Sequence, residues 1–192
     1  MAAIACTIRP AVPEDIPAIN QIHKHYVRNT VITFILEPNT DEETLAAYHK
    51  IKNEGLPYLV AVDNTTNKVL GYTYVSSFRA KAGYRHTLEL SLFCDHTQVR
   101  KGVGAQLLSR LVDVLKHPEQ WEGYYQGSRL IEYRPRQLMA CMAIDIDMPG
   151  AGWKLRDWYV RHGFQQTAHL KEVGRKKERW IDTVFLQLAL RE

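Results

Sequence analysis

The stretch Phe93–Leu115, FCDHTQVRKGVGAQLLSRLVDVL, decides how the rest of the chain reads. Its apolar residues at 103, 107, 108, 111, 112 and 115 recur with the helical period, which predicts a helix from Gly102 to Leu115. Two glycines, Gly102 and Gly104, stand at the mouth of that helix beside Arg100 and Lys101, although glycine is a poor helix former. The first turn of any helix offers four backbone N–H groups without intrahelical partners, and the macrodipole adds about half a positive charge there. Glycine permits unusual dihedrals and lets an anion approach the main chain, while the two cations strengthen the field. This combination suits a nucleotide diphosphate. Taken alone, Gly-x-Gly fits a tight helix entry equally well. GVGAQL has neither the third glycine of a dinucleotide fingerprint nor the Gly-Lys-Ser/Thr ending of a P-loop.

Around this stretch lies a chain of 192 residues, 45% hydrophobic and 24% charged, enough for one substantial core and short for two. One α/β domain over residues 1–192 is expected. No apolar run approaches the roughly 20 residues that span a bilayer, and residues 1–10 lack a secretory pattern, so a cytoplasmic protein without a membrane partner is expected. Cys6, Cys94 and Cys141 are odd in number and lack metal-ligand spacing. They are expected to be reduced and at least partly buried. His23 and His25, two apart on a helix, point to different faces, so no metal site is expected. The net charge of +4 is mild. Its densest cluster, Arg175-Lys176-Lys177-Glu178-Arg179, reads as a solvated hairpin tip, and no aromatic-interleaved basic motif supports nucleic-acid binding.

Working outward, Pro13-Glu14-Asp15 marks a helix start near Ile16, and Thr40 or Asp41 caps a second helix that closes at Gly55. PYLVAVD and KVLGYTYVSSF around NTTN read as a hairpin, and HTLELSLFC alternates like a further strand. Residues 117–136, rich in aromatic, charged and glycine residues, read as an irregular insertion. QLMACMAIDI is a predicted strand, GWKLRDWYVRHGF a short helix closed by Gly163, and FQQTAHLKEV with RWIDTVFLQLAL a final strand pair.

Several spaced stretches carry a family likeness. The loop Val99-Arg100-Lys101-Gly102-Val103-Gly104, followed by Ala105, resembles the Gln/Arg-x-x-Gly-x-Gly/Ala loop of the GNAT superfamily of acetyl-CoA-dependent N-acetyltransferases. WYVRHGF places Tyr159 four residues before Gly163-Phe164, as that superfamily does. TFILEP, SFRAKAGYRHTLELSLFC and KKERWIDTVFLQLAL are similar to segments of the phosphinothricin and methionine sulfone or sulfoximine acetyltransferases. The loop departs at Val99, where a polar residue is usual, and Gly152 stands where asparagine is frequent, seven residues before the tyrosine. The resemblance implies a mixed, mostly antiparallel α/β sheet with flanking helices, in which two parallel strands splay to admit acetyl-CoA. It also implies a homodimer and a duty in detoxification.

The resemblance assigns roles as well. An α-amino group has a pKa near ~8, so a base must remove its proton at neutral pH, and Glu89 stands at the base position. Tyr159 stands where an acid protonates the departing thiolate. Backbone N–H groups near Leu92 or Phe93 would meet the oxyanion. Arg79, Lys81 and Tyr84 fall on the positions that recognise the acceptor's oxyanionic end, and Phe34 lies near the shared pocket. Cys94 reads as a packing residue, and His86 as either a pocket or a surface residue. Two alternatives stay open: a GNAT enzyme for another amine, such as a polyamine, peptide N-terminus or lysine, and a CoA-binding interaction module without turnover.

Overall fold

The computed structural model describes residues 4–99 and 101–191, so Arg100 lies outside the described residues. Its seven strands form one sheet: β1 (Cys6–Pro10), β2 (Tyr58–Asp63), β3 (Val69–Ser77), β4 (Thr87–Cys94), β5 (Gln137–Ala143), β6 (Gln165–Lys176) and β7 (Arg179–Ala189). Their spatial order is β1-β2-β3-β4-β5-β7-β6, and every neighbouring pair is antiparallel except β4 with β5. The mixed, mostly antiparallel sheet expected from the sequence is therefore present.

Among the described residues five α-helices flank the sheet: α1 (Ile16–Asn29), α2 (Asp41–Asn53), α3 (Val103–Lys116), α4 (Arg129–Glu132) and α5 (Trp153–Arg161). At the start of α1, Asp15 takes two N–H groups of Arg9, at 2.7 and 2.8 Å, and the N–H of Val12 at 2.9 Å. α2 opens on a capping box, in which Thr40 Oγ1 accepts from the Glu43 N–H and the Glu43 carboxylate accepts from the Thr40 N–H at 2.8 Å.

Strand alternation sends the two sets of β4 side chains to opposite faces. Leu92 lies under Gly104 of α3, so the even-numbered residues face α3. Phe93 meets Tyr26 of α1 at 5.4 Å between ring centroids, so the odd-numbered residues face α1 and α2. α5 shares the α3 side, because Trp158 also lies under Gly104. The main core, with Leu59, Val60, Ala61, Leu107, Leu111 and Leu186 fully buried, fills both faces of the sheet.

The segment read as an irregular insertion folds back on the body. Arg110 of α3 lies over the Trp121 ring at 4.1 Å and donates to the Tyr124 hydroxyl at 2.9 Å. Arg129 of α4 donates to the Glu54 carboxylate at 3.0 Å and to Ser77 at 2.7 Å, joining the insertion to the end of α2 and to β3.

Two expectations need correction. Cys141 is exposed, because its side chain lies on the α1 face of β5 just where β4 leaves its neighbour. Lys176 is not part of a solvated tip. The β6–β7 turn is Lys177-Glu178, both at positive φ (50° and 59°) as a two-residue type I′ turn requires, and Lys176 is the last residue of β6 with 5% of its surface exposed.

β6 and β7 also carry a bulge. From Leu170 to Gly174 β6 advances four residues while β7 moves two, from Thr183 to Ile181. The Asp182 carboxylate accepts from Glu172 N–H at 2.9 Å and Lys171 Nζ at 3.0 Å and lies 2.7 Å from His169 Nε2. These contacts hold its pKa down to about 2, the Glu172 N–H contributing most.

Gly152, where asparagine is frequent in similar sequences, precedes α5 at φ 79°, and a Cβ there would sit 2.8 Å from the Asp145 backbone nitrogen. Both the dihedral and the space call for glycine. Gly152→Ala should lower unfolding free energy by about 1–3 kcal/mol, read as a fall in the urea midpoint; an unchanged midpoint would show that the 145–152 turn relaxes freely.

Candidate active site

The parallel ladder between β4 and β5 runs from Thr87 opposite Gln137 to Leu90 opposite Ala140 and stops there. β4 continues to Cys94 paired only with β3, and β5 continues to Ala143 paired only with β7. Beyond Leu90 the two strands part, leaving a gap in the middle of the sheet.

Backbone alternation determines what faces that gap. The Asp95 N–H donates to the Leu70 carbonyl at 2.8 Å and the Phe78 N–H to the Thr87 carbonyl at 3.3 Å. Odd-numbered residues of β4 thus turn their peptide groups to β3, and even-numbered ones turn toward β5. Of the two amides expected near the oxyanion, Leu92 N–H points into the gap and Phe93 N–H belongs to the β3 ladder. The Cys94 carbonyl, also on the gap side, accepts from the Tyr26 hydroxyl at 2.5 Å.

On the α1 face of this edge stand Glu89, Ser91 and Phe93. Glu89 is half-buried, and its carboxylate makes no hydrogen bond to another described residue. Burial pushes its pKa up, and the positive charge of Arg79 partly opposes the shift. The floor around it is aromatic: Tyr58 stacks on Tyr74 at 4.8 Å and Tyr72 on Phe93 at 5.5 Å. The Cys141 thiol, on the same face of β5, is partly desolvated by its neighbours although the residue is exposed, and its pKa is raised chiefly by that desolvation and secondarily by the Glu89 charge. His23 of α1 meets the Phe93 ring edge-on at 5.4 Å. Its pKa is lowered by burial and then by the charge of Lys176.

Phe34 reaches this side through its loop. Val31, Ala143 and Ile181 form a small buried cluster, and Ala143 lies two residues beyond Cys141 on the same face. The loop then carries Phe34 onto Gly174 of β6. Arg79, Lys81 and Tyr84 occupy the connection between β3 and β4, all exposed, with the Arg79 guanidinium over the Phe78 ring at 5.1 Å. Among the described residues neither Arg79 nor Lys81 has an acidic partner.

On the other face, α3 is entered through Gly102, whose φ of 82° requires glycine, and no side chain caps the free N–H groups of the first turn. Val103 is buried and Val99 exposed, and the Lys101 ammonium donates to Gln98 at 2.9 Å. Gly104 is less constrained. A Cβ there would meet Cys94 Sγ, Leu92 and Trp158 at 3.5 to 3.7 Å, ordinary packing distances. Ala105 follows in the first turn of α3.

Tyr159 of α5 comes to the same end of β4. Its side chain is 7% exposed, packed edge-on to Trp158 at 4.9 Å and Phe164 at 5.1 Å. The hydroxyl makes no hydrogen bond to another described residue. Burial, and then the Cys94 thiol, raise its pKa, so it remains protonated. Cys94 itself is pushed up to about 12, chiefly by burial, which leaves it a neutral packing thiol.

Sequence reasoning missed Lys176, His23 and Cys141 at this site. His23 was separable from His25 by helical phase alone, since His25 stacks on His96 at 3.7 Å on a different face of α1. Lys176 and Cys141 carried no signal, because the folding of the hairpin and the parting of two strands bring them in. His86 lies away from Glu89, at the start of β4, with Nδ1 3.0 Å from the Arg134 carbonyl. No group of three or more His, Cys, Asp or Glu side chains among the described residues is arranged to hold a metal.

No family model matches the chain. The phosphinothricin N-acetyltransferase of Alcaligenes faecalis is 35% identical to it over 190 residues, covering 99% of this chain and 85% of the relative. The L-methionine sulfoximine/L-methionine sulfone acetyltransferase of Salmonella typhimurium is 31% identical, covering 97% and 95%. The crystal structure of a GNAT superfamily phosphinothricin acetyltransferase from Sinorhizobium meliloti in complex with acetyl-CoA superposes with a TM-score of 0.80 at 30% identity, covering 97% of this chain and 89% of that one. The parted parallel strands, the glycine entry to α3 and this full-length likeness agree: the chain belongs to the phosphinothricin and methionine sulfoximine/sulfone acetyltransferases of the GNAT superfamily.

Proposed function

We propose that the chain transfers the acetyl group of acetyl-CoA to the α-amino group of a small L-amino acid, or analogue, with a tetrahedral, oxygen-rich side-chain end, as in phosphinothricin or methionine sulfone or sulfoximine. The observation that carries this reading is the gap past Leu90, with the half-buried Glu89 on one face of its edge and the buried, protonated Tyr159 on the other. Residues 1–192 act as one domain of this kind, in the cytoplasm, where the three unpaired cysteines stay reduced. Removal of glutamine-synthetase inhibitors or of an oxidised methionine derivative suits such a substrate.

Acetyl-CoA supplies an activated acyl carbon and a thiolate leaving group. The free N–H groups of Gly102, Val103, Gly104 and Ala105, with Val99, Arg100 and Lys101 in the preceding loop, hold its pyrophosphate. Glu89 takes a proton from the acceptor ammonium, directly or through one water, and burial improves it as a base. The freed lone pair forms the N–C bond while Leu92 N–H, beside Phe93, receives the oxygen that gains charge. As the C–S bond breaks, the sulfur keeps the electron pair and takes the Tyr159 proton. Glu89 passes its proton, and the amide nitrogen its second one, to solvent, which also reprotonates Tyr159. Arg79, Lys81 and Tyr84 meet the oxyanionic end of the acceptor, and Phe34 borders its pocket.

The test is thiol release from acetyl-CoA against phosphinothricin, methionine sulfone, methionine sulfoximine, ordinary amino acids, spermidine and peptides. The first three should turn over fastest, and Glu89→Gln should lower kcat/KM by about 10²–10⁴-fold. Turnover only of spermidine or peptides would overturn the substrate class, and acetyl-CoA binding without thiol release would point to a module without turnover.

The pH profile gives a second check. Glu89 must be deprotonated, so kcat/KM should fall as pH drops through a value above the ordinary carboxylate range. Arg79→Met, which removes the charge that holds the pKa down, should move this limb to higher pH. A limb that stays in place would assign it to another group.

A homodimer also belongs to this proposal. Ile35 and Leu36 of the Phe34 loop, Val173 beside Gly174, and Trp180 on the adjoining hairpin are exposed apolar residues, with Leu36 at 64% and Trp180 at 62%. Light scattering should give twice the chain mass, and Leu36→Lys with Trp180→Lys should return the monomer; a native chain of single mass would refute the dimer.

A further inference from the structure

The loop that carries Phe34, residues 30–36, has no regular structure of its own, yet contacts with distant residues hold it, three of which bear on Phe34. The Val31 N–H donates to the Asp145 carboxylate at 3.3 Å. The Thr33 carbonyl accepts from the buried Lys176 ammonium at 2.7 Å. The Phe34 ring lies directly on Gly174, where any Cβ would overlap its edge. Two of these three contacts come from the end of β6, and both depend on the bulge. Without the two extra residues, Glu172 would stand opposite Ile181 and Gly174 opposite Arg179, and Lys176 would fall in the turn itself. The Asp182 carboxylate, holding the Glu172 N–H and the Lys171 ammonium, fixes that register.

Gly174 is not glycine for its backbone. Its φ lies outside the left-handed region, so alanine fits the main chain there. The absent Cβ makes room for the Phe34 ring. We infer that Gly174 and Lys176 form a seat that positions Phe34 and so sets acceptor affinity, acting through Phe34 and not on the reacting atoms. This inference rests on the reading that Phe34 borders the acceptor pocket. Its consequence is a split between the two substrates: disturbing the seat weakens the acceptor and leaves acetyl-CoA, bound from the α3 face, unaffected.

The experiment uses the full chain and four variants: Gly174→Ala, Lys176→Met, Phe34→Ala, and Phe34→Ala with Gly174→Ala. Native-state hydrogen exchange should show faster exchange at residues 31–36 in the first two, with α3 protection as in the parent chain. With the panel acceptor that releases thiol fastest, Gly174→Ala should raise acceptor KM at least about tenfold and leave the acetyl-CoA KM unchanged. In the Phe34→Ala background the Gly174→Ala change should add nothing. Unaltered exchange at 31–36 in both seat variants would overturn the seat itself. A Gly174→Ala effect that persists without the Phe34 ring would overturn its action through Phe34. A Phe34→Ala variant with the parent acceptor KM, alongside a loosened loop, would instead refute the pocket reading, and the selectivity claim with it.

Discussion

The end of β4–β5 pairing at Leu90 and Ala140 is the constraint on which the rest of the site depends. Interior strands that part leave peptide groups without ladder partners, which a protein tolerates only where other groups meet them. On β4 the Tyr26 hydroxyl meets the Cys94 carbonyl, and the Leu92 N–H is left facing the gap. Had the ladder continued, β5 would occupy this amide and the space between the strands would close. An opening in the middle of the sheet, rather than on its surface, also lets groups from both faces meet at one edge.

The alternation of β4 separates the chemistry by face. Glu89, Ser91 and Phe93 look toward α1, while Leu92 and Cys94 look toward α3 and α5, from which Tyr159 arrives. One physical cause, burial, raises the pKa of both Glu89 and Tyr159, with different consequences. It brings the carboxylate nearer to neutral pH, where it is a stronger base, and it keeps the phenol protonated, where it can donate.

The glycines illustrate how one residue type answers different demands. Gly102 and Gly152 satisfy left-handed backbone at the starts of α3 and α5. Gly174 leaves room for an aromatic ring, and Gly104 is under neither compulsion from the protein. In the sequence, Gly152 looked like the loss of a frequent asparagine. In the fold it is the residue that lets α5, and so Tyr159, approach the turn at Asp145 closely.

Much of this protein was legible without coordinates, because the signals are local. The capping box at Thr40 and Glu43, the apolar period of α3 and the alternation of β4 depend on residues a few positions apart, and the structure carries each one. Spaced motifs likewise brought Glu89, Tyr159 and the glycine entry to α3 into view. Burial of Lys176, exposure of Cys141 and the choice of Leu92 over Phe93 as the amide in the gap were decided only in the tertiary structure. Lys176 sits in a run of charges that reads as solvated until a two-residue bulge turns it under the Phe34 loop, a contact spanning 143 positions. Local sequence determines which face a side chain takes and how a helix begins. Which strands part, and what covers them, follows from the packing of segments far apart in the chain, where register and burial outweigh local preference.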